Sequence, residues 1–114
     1  MADSMTELNN NRLAQLSKFA ELLPGVFGQV RAMTGDIYQD GELSTKVKRL
    51  IGLSAAMSAG CQNCTLAQTM YALDCGATKE EILETISVVI SLRGTTGMAE
   101  SLKVIQFLDE QGKL

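Results

Sequence analysis

Histidine is absent from the 114 residues, and so is tryptophan. Without an imidazole there can be no Ser-His-Asp or Cys-His apparatus and no zinc set that needs histidine. Proton transfer near neutral pH therefore falls to thiols, carboxylates or an outside group. Proline occurs once and aromatic residues are few, which leaves Ala, Leu, Met and Ile to build a core of closely packed helices. There is no basic excess either: ten Lys and Arg against thirteen Asp and Glu give a formal charge of −3. Cations scattered in that way argue against nucleic acid as a partner. No apolar run approaches the roughly 20 residues that span a bilayer, and Met1-Ala2-Asp3-Ser4 carries neither the basic nor the apolar part of an export signal. The expectation is a cytoplasmic protein with no membrane partner. The chain has the length of one domain, residues 1–114, near the lower end of comfortable size, so association with copies of itself would help it.

What the chain does have is Cys61-Gln62-Asn63-Cys64-Thr65-Leu66-Ala67-Gln68. At about 100° per residue, Gln68 lies nearly above Cys61 and Cys64 about 60° away, so all three share one stripe of a helix. The spacing lets the two sulfurs close a disulfide or work as a dithiol; a structural pair and a metal site remain open as alternatives. Three cysteines without an export signal point to reactive or free thiols rather than a disulfide framework. The start of a helix also favours an anion, and hence a thiolate at either sulfur.

The remaining pattern is helical throughout. From Thr6 to Leu23 the apolar residues Leu13, Leu16, Phe19, Ala20 and Leu23 recur at three- and four-residue intervals, with Asn9 to Asn11 on the polar side; Met1 to Met5 are expected to fray. Pro24 opens a second helix through Val26, Phe27, Val30 and Met33. Asp40-Gly41 marks a turn, and Ser44 caps a third helix from Thr45 to about Ala59, with Val47, Leu50, Ile51, Ser54 and Met57 expected on its buried side. A second face of that helix carries Arg49, Gly52, Ala56 and Gly60, small residues that let another backbone approach and put Arg49 beside it. Cys61 opens the fourth helix, which stops at Gly76. Thr78-Lys79-Glu80-Glu81 is a capping box for a fifth, to about Leu92. Gly94-Thr95-Thr96-Gly97 reads as a loop before a sixth. The fold class is all-α, a bundle of about six helices.

Leu43-Ser44-x-Lys46 before a helix, an Ala-rich segment leading to Gly60-Cys61-x-x-Cys64, and Gly76-Ala77-Thr78-x-Glu80-Glu81-Ile82 together resemble the AhpD-like (alkylhydroperoxidase D) branch of the carboxymuconolactone decarboxylase family, over roughly residues 40 to 95. The resemblance implies a homodimer, trimer or hexamer of all-helical protomers, and no cofactor or metal is expected. It also implies peroxide as substrate and a dithiol, lipoyl or thioredoxin-like reductant as partner. The active branch reads Cys-x-x-Cys-x-x-x-His, with a Glu twelve residues before the first cysteine. Carried over, Cys64 attacks the peroxide and Cys61 resolves it. The histidine position holds Gln68 and the Glu position holds Arg49, neither of which takes up a proton near neutral pH.

The expectation is therefore that Arg49 and the helix start stabilise a thiolate in place of a proton relay, with Gln68 holding water or substrate. The plainer alternative pairs Arg49 with a carboxylate and has Gln68 fill a polar gap. A non-catalytic oligomeric member of the family is the second functional reading. A carboxymuconolactone decarboxylase-type enzyme is the third, weakened because that branch uses histidine. Cys75 reads as a small packing residue, with an intersubunit disulfide or oxidation as its other role. Tyr71 reads as core packing before pocket lining, and Asp40, Glu42, Glu80, Glu81 and Glu84 as solvated charges.

Overall fold

The structure, a computed structural model, describes residues 4–114. Among them are five helices and no strand: α1 Met5–Leu22, α2 Pro24–Ile37, α3 Thr45–Ala59, α4 Gln62–Asp74 and α5 Lys79–Glu110. The all-α class is as expected. The sixth helix is the second half of α5, because the expected loop at 94–97 shrinks to a break at Gly94 alone, with φ 58° and ψ −133°. That conformation is open to glycine and strained for other residues, so the chain can change direction there without leaving the helix for long. No helix among the described residues is long and apolar enough to cross a membrane.

Local signals explain most boundaries. Ser44 Oγ accepts from Val47 N at 3.1 Å. The capping box closes both ways, Glu81 N to Thr78 Oγ1 at 3.1 Å and Thr78 N to Glu81 Oε1 at 2.8 Å. Of the five residues expected to fray, 1–3 lie outside the described residues, but Ser4 and Met5 are fixed. Ser4 Oγ accepts from Glu7 N, and Met5 is buried against Leu66 and Phe107. The Glu110 carboxylate, at the far end of α5, accepts from Met5 N at 3.1 Å and from Thr6 N at 2.7 Å.

The core lies between α3, α4 and α5, where Leu53, Met57, Ala72, Ile82, Val104 and Leu108 are fully buried. Burying side chains of the Leu, Ile or Met kind contributes about 1.5–3 kcal/mol each. Two expectations of burial are corrected. On α3, Val47 and Ile51 are exposed while Leu53 and Ala56 are buried, because α3 turns its small-residue face to α4 and its Leu53–Met57 stripe to α5. On α1, Asn9 is buried and Leu13 and Phe19 are exposed. Asn9 Nδ2 donates to Met70 Sδ at 3.5 Å and its Oδ1 accepts from Arg12 Nε at 2.9 Å. Helix α2 packs its backbone on α1 alone and buries none of its residues.

Candidate functional site

Gly60, at φ 70°, ends α3 in the left-handed conformation. The N–H of Cys61 then reaches back to Ala56 O at 3.0 Å, a closure that needs a residue free to adopt positive φ. The turn leaves Cys61 as the N-cap of α4, in extended conformation, with its Sγ accepting from Cys64 N at 3.2 Å. A sulfur thus occupies the position where Ser, Thr or Asp oxygens usually satisfy the first free amides of a helix. Cys61 and Cys64 are disulfide-bonded, their Cα atoms 5.2 Å apart, within the ordinary range for a bridge. Cys61 is half-buried and Cys64 exposed. No group of residues suited to hold a metal ion occurs among the described residues.

On the next turn of α4, Gln68 faces α3. Arg49 Nη1 donates to Gln68 Oε1 at 3.4 Å. The Arg49 guanidinium lies between two rings, its Cζ 3.5 Å from the centre of Tyr38 and 4.2 Å from that of Tyr71. Arginine stacks on aromatic faces in this way because its flat, weakly hydrated cation is attracted to the ring quadrupole. Its Nε is buried without a hydrogen-bond partner. The carboxylate partner of the plainer alternative is not found: the ion pairs among the described residues are Lys46–Glu81 and Lys103–Glu100. Two tyrosines and an amide take its place.

The ring of Tyr38 is held in position by its backbone neighbours. Thr45 Oγ1 donates to Tyr38 O at 2.9 Å, and Lys48 Nζ donates to Ile37 O at 2.7 Å and Gln39 O at 2.8 Å. Those carbonyls at the end of α2 would otherwise lack partners. Asp40 Oδ1 accepts in turn from Thr45 N at 2.7 Å. That backbone bond first, then the Thr45 hydroxyl and the Lys48 charge, hold the Asp40 carboxyl below its usual range. Asp40 is therefore a cap on α3 as well as a solvated charge.

Arg31, Thr34, Tyr38, Arg49, Gln68 and Tyr71 line a cavity of about 460 Å³ that is partly open to solvent. Of the expected site residues, the fold thus brings Arg49 and Gln68 together and Cys61 and Cys64 together. Gln68 joins the two groups, since it stands one turn beyond Cys64 on the same helix. Neither cysteine lines the cavity. Tyr71, expected mainly as core, is a cavity wall. Arg31, Thr34 and Tyr38 were not expected at all, although their spacing at i, i+3 and i+7 puts them on one side of α2 and its C-cap. Cys75, expected to pack, is exposed: it is the C-cap of α4, and Gly76 turns the chain away immediately after it.

Comparison with known proteins agrees with this architecture. The sequence pattern of the family described as the carboxymuconolactone decarboxylase family matches residues 24–107. An uncharacterized protein of Cupriavidus necator is 29% identical over 105 residues, which are 92% of this chain and 89% of that protein. The uncharacterized protein 4 in the cox locus of Paracoccus denitrificans is 32% identical over 79 residues, 69% and 71% of the two chains. The crystal structure of an apo carboxymuconolactone decarboxylase family protein from Legionella pneumophila shares the fold with a TM-score of 0.88, at 23% identity and over 96% of this chain and 97% of that one.

Proposed function

This chain belongs to the carboxymuconolactone decarboxylase family, and from that premise we propose that it is an AhpD-like thiol-disulfide oxidoreductase that reduces alkyl hydroperoxides with Cys61 and Cys64. The observation that carries the proposal is the disulfide at the start of α4, with Cys64 exposed and Cys61 at the N-cap.

In the reduced chain the Cys64 thiolate attacks the terminal oxygen of the hydroperoxide. The O–O bond breaks, the alkoxide leaves and takes a proton from water, and Cys64 becomes a sulfenic acid. The Cys61 thiolate then attacks that sulfur, forms the S–S bond and expels hydroxide. An external dithiol of the lipoyl or thioredoxin type restores the pair, so that hydroperoxide and dithiol become alcohol, water and disulfide. In that return step attack falls on the exposed Cys64 sulfur. Cys61 leaves as a thiolate facing the Cys64 N–H and the start of the helix, and a stabilised leaving thiolate speeds exchange.

Arg49 replaces proton relay with positive charge. It acts on Cys64 across Gln68 rather than by contact, and Gln68 offers an amide to water or substrate on the same side. The protein works as a homodimer, trimer or hexamer: Leu22, Leu92 and Leu102 are 78%, 82% and 60% exposed within one chain, more apolar surface than a lone protomer ordinarily leaves open. A reducing compartment such as the cytoplasm supplies the dithiol.

Peroxide consumption by the reduced protein, measured with a dithiol as sole reductant, tests the reading. Consumption should require both cysteines; oxidation no faster than that of glutathione would remove the peroxidase half and leave disulfide exchange. The caged position of Arg49 favours one competing reading, a non-catalytic oligomeric member. That reading holds if Cys61→Ser and Cys64→Ser leave both the oligomer and the cell's phenotype unchanged.

A further inference from the structure

We infer that the cavity between α2, α3 and α4 is a binding site for a small amphipathic carboxylate, an aliphatic acid whose head group sits on Arg49 and Arg31. The inference concerns binding and does not depend on the redox reading above.

Charge comes first. The cavity wall contains two guanidinium groups and no carboxylate. Neither arginine takes part in an ion pair among the described residues. In a chain whose acids outnumber its cations, two arginines on one cavity with no carboxylate on its wall are a local excess of positive charge. A concave, partly desolvated wall strengthens the attraction of that excess for an anion.

Geometry then selects the anion. The rings of Tyr38 and Tyr71 lie 3.5 and 4.2 Å from Arg49 Cζ and Nη1 donates to Gln68, so the guanidinium is held in place on the cavity wall before any ligand arrives. A carboxylate, with two oxygens and one negative charge, suits two guanidinium groups on one wall. Thr34, Tyr38 and Tyr71 add hydroxyls and Gln68 adds an amide to the same wall, the few placed polar groups by which ligand pockets fix orientation.

A second cavity, of about 320 Å³, supplies the apolar part. It shares Arg31, Thr34 and Tyr71 with the first and is otherwise walled by Leu16, Phe19, Phe27 and Val30. A polar chamber with two cations thus adjoins, across three common residues, an apolar groove between α1 and α2. An acid with a hydrocarbon tail fits both halves at once; acetate would fill only the first, and a neutral alkane only the second.

The molecule contains its own reporter. Tyr38 and Tyr71 are the chain's two tyrosines and tryptophan is absent, so intrinsic emission excited at the tyrosine band comes from this cavity. Titration of the full chain in its disulfide form with sodium octanoate should change that emission saturably. Acetate, 1-octanol and octyltrimethylammonium should each bind at least tenfold more weakly. Arg49→Met should weaken octanoate at least tenfold. Arg31→Ala, a substitution at an exposed position with no bearing on the core, should weaken it about fivefold and serves if the Arg49 variant fails to fold.

No saturable change with octanoate, equal affinity in Arg31→Ala, or equal binding of the alkylammonium overturns the site. An emission change that follows protein concentration and ignores octanoate also overturns it, and assigns the groove to a second copy of the chain. Neither peroxide nor reductant enters the titration. Its failure therefore leaves the redox reading intact, and loss of redox cycling leaves this site intact.

Discussion

A Cβ placed on Gly52 would stand 2.9 Å from Gln68 Oε1 and 3.2 Å from the Tyr38 hydroxyl. The missing side chain at position 52 is thus what lets Gln68 reach Arg49 and lets Tyr38 lie over it. Gly52→Ala should separate the site from the fold. Alanine in a helix interior is favoured over glycine by about 1 kcal/mol, and the atoms it meets are the ends of side chains that can swing away. Thermal unfolding should therefore show stability unchanged or raised by up to about 1 kcal/mol, while tyrosine emission shifts as Gln68 and Tyr38 move off Arg49. A large loss of stability would mean that the cage is part of the core.

Arg49 touches two rings and an amide, but neither sulfur, so its effect on Cys64 is one of charge at a distance. Arg49→Met should slow alkylation of reduced Cys64 at pH 7 about threefold, the equivalent of roughly 0.7 kcal/mol, with Arg49→Lys close to the parent chain. Because the site is partly open to solvent, the difference should shrink in 1 M salt. Rates for the separate cysteines are read by mass spectrometry of the labelled peptides, and an unchanged Cys64 rate would confine Arg49 to the cavity.

The two sulfurs are not equivalent. Cys61 Sγ already accepts the amide of Cys64 at 3.2 Å, and Cys64 is the more exposed. A small monothiol added to the oxidised chain should form its mixed disulfide on Cys64 rather than Cys61 by roughly five to one, since the better-stabilised thiolate leaves. Peptide mapping after acid quench gives the ratio directly, and a ratio near one would show that the N-cap position confers no advantage on Cys61.

Features encoded within a few residues could be read directly from the sequence: the Thr78–Glu81 capping box, the Ser44 cap and the stop at Gly60. The small-residue face of Gly52 and Ala56 also announced the close approach of α3 and α4. What could not be read depends on contacts between elements. Val47 and Ile51 belong to a periodic apolar stripe, but periodicity within one helix does not say which of two adjacent faces a neighbour covers. Tyr38 reaches Arg49 only because Lys48 and Thr45 bind the carbonyls that end α2, a link between a helix end and the following helix that no local motif specifies. Asn9 looked polar and exposed until Met70 and Arg12 supplied its partners.

Glu110 sets the last expectation, in acid. The hydroxyl of Thr6, at 2.6 Å, and then its N–H, at 2.7 Å, hold this carboxyl at about 2, against a usual 4.5. Between those values the unfolded chain binds the proton and the folded chain does not. The contribution of Glu110 is therefore complete above pH 4.5 and is lost as the pH falls toward 2. Glu110→Gln removes the charge but keeps the shape. It should lower stability by about 1 kcal/mol at pH 7, the scale of exposed hydrogen bonds to a charged group, with exchange of the amides of Met5 and Thr6 accelerated first. The gap between parent and variant, followed by urea denaturation from pH 6 down to pH 2, should narrow steadily below pH 4.5. A gap that stays constant over that range would mean that the carboxylate's charge plays no part in fastening α1 to the end of α5.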